Sequence, residues 1–420
     1  MSAIVFIAFF LLATLGLPIA HALVIGSTVA MGVSERGSLS LIVEQMVSQV
    51  GSFPLLAIPF FMLTGSIMMG GTLGRNLLDL LSTLMARFHG GPGQVGVVSS
   101  TIFGGISGSA VADASAIGSL LIPWQKKLGY PPGFAAATIA ASATIDILIP
   151  PSIPFIIYAL VSQTSIADLF VAGVLPGMML CFGFMAVCYV VGRTRGFQRE
   201  TRPIRARVIL KELGYSLPGV MLPVLIVFVL RFGVATPTEV AVMAAGYALA
   251  VSLLLYRDLT WKRMLDCVEE AGLATGVVLL VIMASSVVGW IVTFEQIPAT
   301  VTAWMTTNLS EPWLIILAMN VILIFLGMFI DLPAAVLLVT PIFLPIANSI
   351  GMDGVQLGVM MVVNLAMGLY TPPVGTTLFI ASSVAKVPMG TVVKEMAPFY
   401  AVALLVLFLV SYFPFFIIHS

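Results

Sequence analysis

Charged residues are scarce: Asp, Glu, Lys and Arg together make up 9% of the 420 residues. A soluble domain carries about 25%, so one large water-facing globule lacks the polar surface to cover it. The 18 basic and 18 acidic residues cancel, and no basic domain stands out, which removes nucleic acid as a partner. His21, His89 and His419 are scattered along the chain, so nucleophile–histidine–acid catalysis is not expected and the chain reads as a non-enzyme. Cys181, Cys188 and Cys267 lack the spacing of a zinc site or a disulfide framework and read as small apolar packing residues. No phosphate-binding glycine loop is present, which excludes direct nucleotide-driven pumping by this chain.

What remains is apolar. Hydrophobic residues make up 60% of the chain, and runs long enough to cross about 30 Å of hydrocarbon cover residues 4–33, 53–71, 131–160, 168–191, 213–230, 237–256, 269–292, 355–385 and 397–418. The first is too long for a cleaved signal and is read as the first membrane element. Runs 91–125 and 312–350 are too long and too interrupted by glycine or proline for one span. Each is read as a re-entrant hairpin. Residues 37–50, 73–88 and 296–309 mix apolar and polar positions and suit interfacial or connecting helices.

Charge orients these runs. Between residues 193 and 211, Arg193, Arg195, Arg199, Arg202, Arg205, Arg207 and Lys211 face one acid, Glu200. The positive-inside bias puts that loop in the cytoplasm. Arg257, Lys262, Arg263, Lys126 and Lys127 then share its face. Arg75 and Arg87 join them if 91–125 is a hairpin, and Lys386 and Lys394 join them if 312–350 is another. Nine crossings leave the amino end inside and the carboxyl end outside, with the hairpins entering from opposite faces.

The double prolines of Ile149-Pro150-Pro151-Ser152 and Thr371-Pro372-Pro373-Val374 each fall within an apolar run. Proline lacks an amide donor and clashes with the preceding turn, so each run must be a broken helix, about 131–160 and 355–385. Hydrocarbon cannot satisfy the backbone groups a break frees, so protein, an ion or a solute must. A shift of 222 residues aligns Pro123 with Pro345, Gly129 with Gly351, Pro150 with Pro372, Pro151 with Pro373, Ala159 with Ala381 and Pro176 with Pro398. The expected fold is therefore an all-α polytopic membrane protein with two inverted repeat regions, 1–211 and 212–420. Each holds one hairpin and one broken helix, an arrangement that permits alternating access.

The first hairpin carries glycines at 104, 105 and 108, hydroxyls at Ser107 and Ser109, and Asp113. The second carries Gly327, Asp331 and Pro333. The broken helices add Asp146, Ile149, Pro150 and Ser152 on one side, and Asn364, Thr371, Gly375, Thr376 and Thr377 on the other. Hard oxygen donors without a His/Cys cluster suit an alkali cation, not a transition metal. Half-helix amino ends beside Ser152 and Val374 favour an anionic group, and the preceding carboxyl ends favour a cation. A sodium ion beside a carboxylate-bearing solute uses both. Asp113, Asp146 and Asp331 stand in apolar surroundings, where ionisable groups are functional candidates by default, although each also suits a helix cap. The serines and threonines can alternatively bond back to a carbonyl one turn away.

The run Gly104-Gly105-Ile106-Ser107-Gly108-Ser109-Ala110-Val111-Ala112-Asp113, then Leu148-Ile149-Pro150-Pro151-Ser152-Ile153-Pro154 and Thr371-Pro372-Pro373-Val374-Gly375, strongly resembles the large membrane subunit of the tripartite ATP-independent periplasmic transporters. Ile58-Pro59-Phe60-Phe61-Met62-Leu63-Thr64-Gly65, Ala235-Thr236-Pro237-Thr238-Glu239 and residues 167–177 are alike as well, and the likeness runs from about residue 3 to 416. The resemblance implies an elevator-type, sodium-coupled importer of a small organic anion, such as a C4-dicarboxylate or a sugar acid, in a bacterial or archaeal cell membrane. It implies two partners: a small four-helix membrane subunit, expected as a separate polypeptide, and a periplasmic substrate-binding protein. It also implies two sodium ions, one near Ser107, Gly108, Ser109, Ile149 and Ser152, the other near Gly327, Asp331, Thr371 and Gly375. Substrate contacts fall on Ser107, Asp146, Pro150, Asn364, Pro372 and Thr376. One departure is Asp146, where many members have a small residue; its mate under the 222-residue shift is Gly368. Proton coupling through Asp146 is the rival within the class, and a channel lined by the broken helices is the rival outside it.

Overall fold

A computed structural model describes residues 1–34, 39–69, 71–85, 87–199, 206–309 and 311–417. The described residues are helical throughout. In chain order the helices are α1 (Ser2–Thr14), α2 (Ile19–Ser34), α3 (Leu39–Val50), α4 (Ala57–Met69), α5 (Thr72–Met85), α6 (Gly91–Ser107), α7 (Ala110–Lys127), α8 (Pro132–Ser142), α9 (Ile153–Ser162), α10 (Ile166–Thr194) and α11 (Ala206–Arg231). They continue with α12 (Pro237–Ala250), α13 (Trp261–Phe294), α14 (Ile297–Asn308), α15 (Pro312–Gly327), α16 (Leu332–Ser349), α17 (Gly354–Gly368), α18 (Thr376–Ala385) and α19 (Met389–Tyr412). Among the described residues, six helices are long and apolar enough to cross a membrane, or seven when the pair 40–50 and 53–69, bent by 62°, counts as one. The chain is a multi-pass membrane protein.

One expectation is corrected. Residues 4–33 are not a single element but two helices, α1 and α2, packed against each other. Gly16 adopts a left-handed φ of 86° and Pro18 follows, so neither helix can run through the junction. Gly26 of α2 lies over Val5, Ala8 and Phe9 of α1, which makes the pair an antiparallel hairpin. The count of nine single crossings therefore does not describe the molecule. In the basic loop, Glu200, Arg202 and Arg205 lie outside the described residues, as do the side chain of Arg207 and the whole of His419.

Both expected hairpins are present. The α6–α7 turn falls at Gly108 and Ser109, and the α15–α16 turn at residues 328–331. Each hairpin ends in the same way. After α7, the amide of Tyr130 bonds the Gln125 carbonyl (3.1 Å) around Gly129 at φ 80°; after α16, the amide of Met352 bonds the Ala347 carbonyl (2.9 Å) around Gly351 at φ 73°. These left-handed glycine stops differ by 222 residues at every partner. The broken helices α8–α9 and α17–α18 follow, and both double prolines contain a cis bond, Pro150–Pro151 and Pro372–Pro373.

Contacts fix the relative direction of the two broken helices. Lys126, just before α8, bonds the Ala385 carbonyl at the end of α18 (3.0 Å). Thr377, at the start of α18, bonds Ala140 near the end of α8 (3.1 Å). Tyr158 of α9 bonds Gly354 at the start of α17 (2.6 Å). The two broken helices thus run antiparallel, break beside break, which is the inverted relationship. Arg195 pairs with Glu395 (2.8 Å), so basic residues 126, 195, 386 and 394 collect at one end. A second polar tie joins α4, α5 and the α12–α13 loop: Asp258 accepts from the Thr72 amide (2.6 Å) and from Arg263 (2.9 Å). Burial pushes the Asp258 carboxyl up, but Thr72 and Arg263 outweigh it and hold it below the ordinary carboxylate value.

Candidate functional site

Helix α6 stops at Ser107 because Gly108 turns left-handed, with φ 63° and its amide on the Gly104 carbonyl (3.2 Å). Ser109 then caps α7 by accepting from the Ala112 amide (3.4 Å). This tip sits on the first break. A Cβ at Gly104 would stand 2.5 Å from the Asp146 Cα, and one at Gly108 would stand 2.6 Å from the Pro151 carbonyl oxygen. Only glycine lets the hairpin come so close. Ser107 donates to Asp146 Oδ2 (2.9 Å) and accepts from the Ser109 amide (3.2 Å). Ser152 caps α9 through the Phe155 amide (3.4 Å) and donates to the Ile147 carbonyl (2.5 Å).

Two carboxyls are fully buried here, Asp113 and Asp146. Asp146 Oδ1 and both oxygens of Asp113 have no hydrogen-bond partner among the described residues. Buried oxygens without partners are costly, and together with the carbonyls of the break they form a hard, cation-accepting surface. The fit to an alkali ion is good on this side.

The second site is built differently. Gly327 at the end of α15 lies on Gly368 at the end of α17, and a Cβ at Gly368 would overlap the Gly327 backbone. The pair mirrors Gly104 on Asp146, so the repeats share a backbone-to-backbone seat for each hairpin. Gly375 turns at φ 49° to start α18. Thr371 bonds back to the Met367 carbonyl one turn away (2.5 Å), whereas the buried hydroxyl of Thr376 has no partner. Asp331 occupies the N-cap position of α16 without a side-chain cap bond. Pro150 and Pro372 lie in the two breaks, with Ile149 buried beside the first. The amide nitrogen of Asn364 is committed to the backbone carbonyl (3.0 Å) and side-chain oxygen (2.8 Å) of Asn320, which also bonds Ser411 (3.0 Å), while its buried Oδ1 has no partner among the described residues.

The breaks join through Thr377, whose hydroxyl reaches both the Ala140 carbonyl and the Leu369 carbonyl (2.9 Å). Beside the first tip a cavity of about 390 Å³ opens between α7 on one wall and α4 with α13 on the other. Ser107 and Ser109 line it, and so do Ser66 and Glu270, which sequence reasoning did not single out. The signal for Glu270 was there: an acid at the edge of the apolar run 269–292.

The sequence profile described as "Tripartite ATP-independent periplasmic transporter, DctM component" matches residues 6–416. The chain belongs to that family. It is 53% identical to the protein y4mL of Sinorhizobium fredii over 414 residues, covering 99% of each chain. It is 34% identical to the sialic acid TRAP transporter large permease protein SiaM of Vibrio cholerae, covering 95% of this chain and 93% of that one. The fold matches the crystal structure of the YdaH transporter of Alcanivorax borkumensis with a TM-score of 0.60 at 15% identity, over 89% of this chain and 88% of the other. A DctM-type subunit is a transporter and not an enzyme. It is a multi-pass cell-membrane protein.

Proposed function

We propose that this subunit moves a small organic anion inward across the membrane together with sodium, by an elevator movement of the hairpins and broken helices. Residues 1–211 and 212–420 act as the two inverted repeat regions. The observation that carries the reading is the seating of Ser107, Gly108 and Ser109 on a break whose Asp146 Oδ1 is buried without a partner. One sodium is held by the Ser107–Ser109 tip, Asp146 and the Ile149–Ser152 break. The other is held between Gly327, Asp331 and the segment Thr371–Gly375, with the free hydroxyl of Thr376 as an added donor. The solute lies beside Ser107, Pro150, Pro372 and Thr376, where half-helix amino ends favour an anionic group. It arrives from a periplasmic binding protein, and a small four-helix membrane subunit holds the assembly in the bilayer. The Vibrio cholerae relative is named for sialic acid, itself a carboxylate, which supports an organic acid; a C4-dicarboxylate or a sugar acid fits the same class.

The test is uptake in proteoliposomes holding this subunit, its small partner and the binding protein. Uptake follows an imposed sodium gradient, and Ser109→Ala raises the sodium concentration for half-maximal uptake. Uptake that stays the same when choline replaces external sodium rejects the reading. Proton coupling through Asp146 is the second reading, favoured by its unpartnered buried oxygen; sodium-independent uptake driven by a pH gradient selects it.

A further inference from the structure

The cavity beside the first hairpin tip constrains the solute more closely. Ala112, Ser115, Ala116 and Ser119 of α7 recur at helical spacing along one wall, with Ser107 and Ser109 at its head. From Ser109 to Ser119 that wall is about 15 Å long, at 1.5 Å per residue. The facing wall offers Ser66 of α4 and Glu270 of α13. Its register is fixed by the Cys267 thiol on the Ser66 carbonyl (3.5 Å) and by Arg263 on the Ile67 carbonyl (2.9 Å). Among the described residues, Glu270 is the one charged side chain lining the cavity. The nearby cations are placed elsewhere. Arg263, two turns before Glu270, is engaged by Asp258, and Arg75 lines an adjoining hollow of about 180 Å³ on the far side of Met69 and Ala116, beside Leu78 and Leu120.

The cavity therefore has hydroxyls and the α7 amino end on one side, a carboxylate on the other, and no cation on either. We infer that the solute is an acid with one anionic group, seated toward Ser109, and a tail rich in hydroxyl, amide or ammonium donors that faces Glu270, and that Glu270 excludes a second carboxylate. This rests on the organic-anion reading above and narrows it. A compact dicarboxylate would set its second charge against the Glu270 carboxylate across the cavity. Such like-charge opposition is a device of specificity. A polyhydroxylated acid donates to Glu270 instead, and 390 Å³ is room for a molecule of that size.

The test compares labelled gluconate and labelled succinate, with glucitol as a neutral control, in proteoliposomes of the complete three-component system under a sodium gradient. Wild type and Glu270→Gln are measured with the same binding protein, so that its selectivity cancels from the ratio. Gluconate is taken up in preference to succinate by wild type. Glu270→Gln shifts the succinate-to-gluconate ratio toward succinate by roughly tenfold, the size of a charge repulsion of about 1.4 kcal/mol. Glu270→Asp, which keeps the charge, retains the discrimination. Succinate uptake equal to or above that of gluconate in wild type, each normalised to the amount loaded on the binding protein, overturns the inference, and this arm holds even if the glutamine variant fails to assemble. So does an unchanged ratio in Glu270→Gln. Uptake of glucitol with neither acid transported rejects the organic-anion reading itself and this inference with it.

Discussion

Thr377 donates its hydroxyl to the carbonyl oxygen of Ala140 at 3.1 Å, joining residues 237 positions apart. The same hydroxyl lies 2.9 Å from the Leu369 carbonyl. One side chain of the second break thus holds a carbonyl of each repeat, and Thr377, Ala140 and Leu369 are all buried. Thr377→Val keeps the shape and removes the donor. A buried hydrogen bond lost this way costs about 1–3 kcal/mol. The expected result is a lower unfolding temperature in detergent and slower uptake, with Thr377→Ser close to wild type. Equal melting of the valine and serine variants would show that the bridge contributes nothing.

The glycine seats give a steric prediction. Gly104→Ala places a methyl 2.5 Å from the Asp146 Cα, and Gly368→Ala drives one into the Gly327 backbone. Backbone has to move in both, so each substitution is expected to destabilise by about 1–3 kcal/mol and to abolish uptake. Gly276→Ala on α13 meets nothing within 4 Å. It removes a flexible residue from a helix interior, so it leaves stability equal or raises it by up to about 1 kcal/mol. Thermal unfolding of the three variants side by side checks the contrast.

Asp146→Asn keeps the volume and an acceptor for Ser107 but removes the charge facing the break. Losing a charged ligand group worth about 1–3 kcal/mol raises the sodium concentration for half-maximal uptake roughly 5- to 150-fold. Sodium titration of uptake measures it. An unaltered titration, with normal assembly, would place the ion away from Asp146.

The Asp258 tie has a pH signature. Its carboxyl is held below the ordinary value, so its contribution is present above the unfolded-state value, about 3.9, and is lost as pH falls through the folded value. Asp258→Asn is therefore expected to melt below wild type at pH 7, by an amount worth about 1–2 kcal/mol, with the gap closing as the pH falls below about 4. A gap that persists unchanged into acid would assign the effect to packing instead.

Most of the core was legible because its shape is written in proline and glycine. The double prolines mark both breaks, and Gly129 and Gly351 mark both hairpin ends, since few other residues turn a chain that way. The turn at Gly16–Pro18 carries the same kind of signal, but it lies inside a continuous apolar run, and the run's length masked it. The tie of Thr377 to Ala140 was out of reach, because it depends on how two antiparallel segments pack and not on any local spacing. The partner of Asn364 was out of reach for the same reason: α15 supplies Asn320 to take its amide nitrogen, and only its side-chain oxygen is left over. Ser66 and Glu270 sit on α4 and α13, outside the repeated motifs that drew attention to the breaks.

The close seating of Gly108 on the Pro151 carbonyl, and of Gly104 and Gly105 on residues 146 and 150, means that much of the first site is main chain. An oxygen that belongs to a peptide bond cannot be deleted by any substitution. A conventional alanine scan across residues 147–151 would leave those carbonyls in place and report the loss of buried side-chain packing, not the loss of an oxygen donor. The sensitive positions are instead the glycines opposite, where adding one methyl pushes the two backbones apart. At this seat the main chain is thus probed through the smallest residues that face it, not through the residues that own the oxygens.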